Sequence, residues 1–218
     1  AMNGVVWNED GTLNEDSVME ALKYMETLVK EELVAPEDKT SSGMDAYKRL
    51  TGGSASFLTG PTSFVSRSTN EEECSVVGQI APILMPGKEA KSEVTMALPE
   101  GLGVTKFSEN KEAAKKFVEW YTSVDMQKEL NASNSAIPTR NSVLKALVED
   151  GTIKNAGAMM DEAERIVSPF PNGIPAYYAE MSSAMYNAIN KMALGEMTAE
   201  EAFEDMNAKI TELVEQDK

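Results

Sequence analysis

Apolar positions along the chain fall mostly at helical spacing, in blocks separated by turn signals. Val18, Ala21, Leu22, Met25, Leu28, Val29 and Leu33 share one face and predict a helix over roughly Asp16 to Leu33, ended by Ala35-Pro36. Further helices are predicted at Asp45 to Leu50, Ser63 to Glu73 and Lys111 to Leu130. The last of these has an apolar face of Ala113, Ala114, Phe117, Val118 and Tyr121, with Ser108 or Asn110 as its cap. Two more are expected at Ser142 to Glu149 and Asn155 to Ile166. Pro169-Phe170-Pro171-Asn172-Gly173 interrupts the pattern, and a long helix follows from about Pro175 to Leu194. Gly195 is a natural stop, and Thr198-Ala199-Glu200-Glu201 is a capping box opening a final helix to about Val214. That helix should bury Ala202, Phe203, Met206, Ile210 and Leu213.

Between the helices lie short candidate strands. Val5-Val6-Trp7 and Thr12-Leu13 flank the Asp10-Gly11 turn signal and read as a hairpin. Gly52 to Leu58, Val76 to Ala81, Val94 to Leu98 and Gly101 to Thr105 are the others; Ala136 to Arg140 is a short extended piece. Strands separated by helices favour an α/β class over α+β. There is no internal repeat and no low-complexity tract.

Charge and composition narrow the chemistry. The chain has 218 residues with 42% hydrophobic and 26% charged, the composition of an ordinary globular domain. Its net charge is −16, from 36 acidic and 20 basic residues. No nucleic-acid partner is expected, because neutralising phosphates needs clustered Lys and Arg. Docking on an anionic membrane is disfavoured for the same reason. No apolar run reaches the ~20 residues that span a bilayer. Ala1-Met2-Asn3 has neither the basic start nor the apolar stretch of a signal peptide, and an Ala before Met reads as a cloning scar on a trimmed piece of a longer protein.

Cys74 is the single cysteine and the chain has no histidine. A structural zinc site and the Ser-His-Asp or Cys-His catalytic sets are therefore excluded, and no metal, cofactor or catalytic residue is expected. The acidic run Glu71-Glu72-Glu73 beside Cys74 should keep its thiol protonated. Asn8, Asp10 and Asn14 suggest a calcium loop, but Val6 and Ser17 stand where acidic ligands are needed.

Four blocks, in order, resemble the family-1 bacterial extracellular solute-binding proteins, which include maltose- and maltodextrin-binding proteins. They are Leu28-Val29-Lys30 with Leu33-Val34-Ala35-Pro36; Gly52-Gly53-Ser54-Ala55-Ser56-Phe57 leading to Gly60-Pro61; Gly101-Leu102-Gly103-Val104-Thr105 with Asn110 to Val118 and Ile137-Pro138; and Asn172-Gly173-Ile174-Pro175 with Leu194 to Ala202. The likeness covers nearly the whole chain, although no single block is highly specific.

The resemblance implies a type II periplasmic-binding-protein-like fold of two α/β lobes with a ligand cleft between them, of which this chain is the C-terminal half. It places residues 1–100 and 141–218 in the C-terminal lobe, and 101–140 in a segment of the N-terminal lobe and hinge. An incomplete sheet would have unpaired strand edges, which favour swapping or a homodimer. The implied function is to bind a sugar or similar polar solute and deliver it to the permease of an ABC importer. The implied location is the outer side of the cell membrane, periplasmic or lipid-anchored. Half a cleft should bind its ligand weakly or not at all.

In maltodextrin-type relatives the Gly-Pro turn is followed by a tryptophan that stacks on sugar; here Thr62, Ser63 and Phe64 follow Pro61. A second aromatic platform on the long helix is matched by Met181 and Ser182, with Tyr177 and Tyr178 one turn earlier. The maltodextrin stacking residues thus do not carry over, which points to a smaller or different solute. Thr62, Ser63, Phe64, Tyr177, Tyr178, Met181 and Ser182 are the candidate ligand contacts. Against each stands a packing role: Phe64 in a core beneath a capped turn, and Tyr177 and Met181 on the inward face of their helix. Trp7 and Trp120 read as packing, and Arg67 and Arg140 as surface residues that could pair with an acidic ligand.

Two rival classes remain. A glycan-acting enzyme would use a carboxylate pair, with Glu180 beside Tyr177 and Tyr178 as the one suggestive position. An adaptor would use the 14 methionines as an adaptable protein-binding surface, although most of them fall on predicted core faces.

Overall fold

The computed structural model describes residues 4–88, 92–96, 101–154, 156–170 and 172–217. Its described helices are α1 (Glu15–Lys30), α2 (Gly43–Thr51), α3 (Ser63–Arg67), α4 (Lys111–Tyr121), α5 (Val124–Asn134), α6 (Asn141–Glu149), α7 (Gly157–Ala163), α8 (Tyr178–Ala193) and α9 (Ala199–Gln216). A 3-10 turn covers Pro36–Lys39. The chain forms two compact units. The first comprises 1–45, 85–96 and 165–218; the second comprises 46–84 and 97–164.

The first unit is built on α8 and α9, which pack on each other and on α1. Gly195, at φ +79°, turns the chain between α8 and α9, a conformation that glycine adopts without a Cβ penalty. The capping box forms as the sequence predicts. Thr198 Oγ1 accepts from the Glu201 amide at 3.2 Å, and the Glu201 carboxylate accepts from the Thr198 amide at 2.8 Å. All five residues expected on the inner face of α9 are buried. Leu22, Met181, Ala188 and Met192 meet Met206 and Ile210 in one core.

Helix α1 stops at Lys30, a turn short of the expected Leu33. Glu32 takes a left-handed conformation, φ 56°, which lets its amide reach the Val29 carbonyl and the Leu33 amide reach the Leu28 carbonyl. This is a Schellman closure with glutamate where glycine is usual. At the other end Asn14 caps the helix by accepting from the Ser17 amide at 3.1 Å. The expected hairpin reduces to one antiparallel bridge, Trp7 with Leu13.

The second unit holds α2 to α7, with a smaller core around Val143, Leu144, Leu147, Ile153 and Met159. The single helix expected from Lys111 to Leu130 is broken. Thr122 turns its hydroxyl back to the Val118 carbonyl, and Ser123, extended at ψ 161°, caps α5 by accepting from the Met126 amide. Arg140 Nε donates to the Thr122 carbonyl at 2.8 Å, so that a carbonyl at the break keeps a partner. The extended piece 136–140 is held by two buried amides of α5. Gln127 bonds the Arg140 amide and the Thr139 hydroxyl, and Asn131 bonds the Ala136 carbonyl.

Other expectations need correction. The unit's apolar α4 face is not buried: Phe117 and Trp120 are 52% and 55% exposed, and Trp120 touches only its own helix neighbours among the aromatics. The described residues contain no strand beyond isolated bridges, so the α/β expectation holds only as a helix-rich fold. Gly52 and Gly53 close α2, with the Ser54 amide reaching the Arg49 carbonyl and Gly53 at φ +79°. Val76 to Ala81 folds into a turn through Gly78 at φ +82°. Gly101 to Thr105 makes no strand pairing among the described residues. In the expected strand Val94 to Leu98, Thr95 alone pairs among the described residues, as a parallel bridge to Ile166; Ala97 and Leu98 lie outside the described residues. That bridge also shortens α7, because Ile166 leaves the helix to make it. The start of that helix at Asn155, and Pro171 in the break before α8, are outside the described residues. Helix α3 ends at Arg67, where Asn70 opens a turn that carries Glu71, Glu72 and Glu73.

Candidate functional site

The expected contacts fall into two groups, one in each unit. In the second unit, Gly60-Pro61 leads into α3. The Phe64 amide donates to the Pro61 carbonyl and the Val65 amide to the Thr62 carbonyl, both at 3.0 Å, which fixes the turn. Thr62 is exposed, whereas Ser63 and Phe64 are half-buried. The Phe64 ring lies on Tyr47, with centroids 4.3 Å apart and planes 29° apart. A Cβ on Gly60 would come within 2.7 Å of that ring, so this glycine makes room for Phe64.

Tyr47 is 2% exposed, and its hydroxyl has no hydrogen-bond partner among the described residues. Burial, then the negative charge of Glu73 and of Cys74, push its phenol up to about 12, with Arg67 opposing. Arg67 itself faces Glu73 at 3.9 Å, and Arg140 bonds the Thr122 carbonyl. Both arginines therefore have protein partners.

In the first unit the candidates gather at the start of α8. Met181 is 2% exposed and packs in the core. Tyr177, in the capping position, is half-buried; burial and the Asp217 charge raise its phenol above 10.0. Tyr178 is 43% exposed, and Ser182, one turn on, is half-buried. One face of α8 thus serves the core, and the neighbouring face carries Tyr178 and Ser182.

Phe170 meets Tyr178, and Trp7, read from the sequence as packing, meets Phe170. Phe170 stands edge-on to Tyr178, centroids 5.7 Å apart and planes at 87°. Trp7 stacks on Phe170, also at 5.7 Å, with planes 27° apart. Asn172 donates to the Glu9 carbonyl at 3.2 Å and links the two segments that supply the stack. Phe170 had a signal that helical periodicity ignores: an aromatic set between two prolines is fixed on a loop, where binding groups concentrate.

A partly exposed aromatic ring can take an apolar surface of a ligand, and nearby hydroxyls and amides can take its polar edge. A match to the bacterial extracellular solute-binding protein family extends over residues 1–128, more than half of the chain. The chain belongs to that family. The fold agrees: a solved structure of maltose-bound T. maritima MalE3 superposes with a TM-score of 0.82 at 22% sequence identity, covering 96% of this chain and 54% of that one. The chain thus spans about half the length of that relative.

Other chemistry finds less support in the geometry. Glu180 is exposed on α8 rather than enclosed in an apolar pocket. Among the described residues no group of three or more acidic or cysteine side chains is placed to hold a metal. No helix among them is long and apolar enough to cross a membrane.

Proposed function

We propose that the protein carrying this sequence is the substrate-binding component of an ABC importer, taking a sugar or small oligosaccharide in a cleft between two lobes and passing it to the membrane permease. Membership of the extracellular solute-binding family carries the proposal. The maltose bound by the MalE3 relative supports a sugar as the ligand class, and the exposed Tyr178 ring supports it from this chain's own residues. Thr62, Ser63, Tyr177, Tyr178 and Ser182 are the proposed ligand contacts, with Phe64 and Met181 behind them. The protein acts outside the cytoplasmic membrane, periplasmic or lipid-anchored.

Mechanism follows from closure. The lobes hinge around the solute, burying it on two sides, and the closed form is the one the permease accepts. No bond is made or broken. The experiment is a calorimetric titration of the protein at its full natural length with mono- and disaccharides, followed by chromatography of the recovered sugar. Saturable binding with the sugar returned unchanged supports the proposal. Cleavage products would move the assignment to a glycan-acting enzyme. Absence of binding to any sugar would remove the sugar assignment.

A further inference from the structure

We propose that Asn172-Gly173 is a site of spontaneous deamidation, and that the reaction releases the tie holding the Trp7 segment to the Phe170 loop. The inference is independent of which solute the protein binds.

An asparagine side-chain amide lies within reach of the next residue's backbone nitrogen, so the two react as neighbours on one chain. A side chain on that next residue obstructs the approach, and glycine has none. Asn-Gly occurs at 3–4 and at 172–173 in this sequence. At the second place Gly173 takes φ +87°, a conformation that glycine adopts without a Cβ penalty, so the turn before α8 itself keeps the reactive pair in place. Both residues are exposed, and a Cβ on Gly173 would meet nothing within 4 Å, which leaves room for ring closure. Two hydrogen bonds oppose it. The Gly173 amide donates to the Phe170 carbonyl at 3.2 Å, and Asn172 Nδ2 donates to the Glu9 carbonyl, also at 3.2 Å. Both are at the long end of the range and belong to an exposed turn, which opens locally without unfolding the core.

The reaction needs water alone. The Gly173 nitrogen gives up its proton and attacks Asn172 Cγ. The new N–Cγ bond closes a five-membered imide, the Cγ–Nδ2 bond breaks, and Nδ2 leaves as ammonia. Water then opens the imide at either carbonyl, leaving an aspartyl or an isoaspartyl link. In both products a carboxylate replaces the amide, and a carboxylate cannot donate to the Glu9 carbonyl. That bond joins the segment carrying Trp7 to the loop carrying Phe170, whose rings stack with centroids 5.7 Å apart. Its loss frees the loop side of the stack, while the Trp7–Leu13 bridge still holds the other side.

The test uses the full 218-residue chain with Trp120→Phe, so that Trp7 is its one tryptophan. The folded chain is aged in neutral and in mildly alkaline buffer beside a free peptide of residues 166–191. Mass spectrometry then reads the tryptic fragment Ile166 to Lys191. The fragment should gain one mass unit, placed at Asn172 by its fragment ions, and gain it faster in the alkaline buffer, because the Gly173 nitrogen must lose a proton. Asn172→Gln, which would have to close a six-membered ring, should react at least about tenfold more slowly. Trp7 emission of the aged chain should move to longer wavelength as its stack loosens, and Asn172→Asp should show the same shift without ageing. A thermal midpoint checks that each variant folds; the aged chain itself gives the emission result if Asn172→Asp does not. If the peptide converts while the folded chain stays unmodified, the two hydrogen bonds protect the site and the proposal is overturned. If Asn172 converts and the Trp7 emission is unchanged, the role of its bond as a tie is overturned.

Discussion

The ring of Phe64 lies against that of Tyr47, centroids 4.3 Å apart, and the Tyr47 hydroxyl beneath it is buried with no hydrogen-bond partner among the described residues. The Gly-Pro turn is therefore supported from below by an aromatic pair, one member of which carries an unsatisfied polar group. An unmade hydrogen bond in a buried site costs about 1–3 kcal/mol. Tyr47→Phe keeps the ring contact and removes the orphan oxygen, so it should raise stability by about 1 kcal/mol. Denaturant unfolding checks this; a lower midpoint would contradict it.

The same phenol makes an alkaline prediction. Its folded value near 12 lies above the ordinary 10.0, so folding favours the neutral form. The stability tied to that difference is intact below pH 10 and is lost as pH rises from 10 towards 12. In Tyr47→Phe the alkaline fall should be shallower than in the parent chain. Equal slopes in the two proteins would contradict the assignment.

Glu32 closes α1 in a left-handed conformation, φ 56°, which costs a non-glycine residue roughly 1–2 kcal/mol. Glycine at this position avoids that cost and adds some freedom to the unfolded chain. Glu32→Gly should therefore stabilise the protein by about 0.5–1 kcal/mol. Glu32→Val, with a β-branched side chain, should destabilise it, and thermal unfolding of the pair gives the sign of each.

Thr198 and Glu201 satisfy each other's amides at the start of α9. Thr198→Ala leaves the Glu201 amide without its cap and should cost about 1 kcal/mol. Because α9 carries the inner face of the first unit's core, hydrogen exchange in its first turn should rise along with that loss. A variant as stable as the parent would mean that water replaces the cap at no cost.

At the acid end, Glu200 has its carboxyl lowered from 4.5, first by its backbone amide and then by the Lys23 ammonium, whose ion pair measures 3.1 Å. A lowered carboxylate contributes stability that is present above pH 4.5 and lost as pH falls through its folded value. Both groups are largely exposed, so the effect is small and should fade in high salt. Glu200→Gln should flatten the acid limb of the midpoint-against-pH curve, and an unchanged limb would contradict the pairing.

Helices were legible in the sequence where an apolar stripe met its own cap. The inner face of α9 and its Thr198 capping box follow from spacing alone. The stripe of α4 misled, because periodicity says which face is apolar but not whether anything covers it; Phe117 and Trp120 stay exposed. The single helix through Thr122 and Ser123 failed because side-chain hydroxyls bond the local backbone there, in competition with the helix. Strand candidates failed for a related reason. Gly52 and Gly53 have the left-handed freedom that ends a helix, and the same glycines read equally well as an opening to a strand. At the candidate site, Tyr178 and Ser182 were legible from their helical offset to Met181. Trp7 and Phe170 were not, because their meeting joins residues 163 positions apart or thereabouts, as in the Asn172 to Glu9 bond.

The most direct test of sugar binding is the thermal midpoint of the protein at its full natural length against a panel of mono- and oligosaccharides. Ligand at about 100 times its dissociation constant should stabilise a binding-competent fold by roughly 2.7 kcal/mol, a readily visible shift. A shift with one class of short sugars, and little with long glucans, is the predicted result. No shift with any sugar would contradict the account.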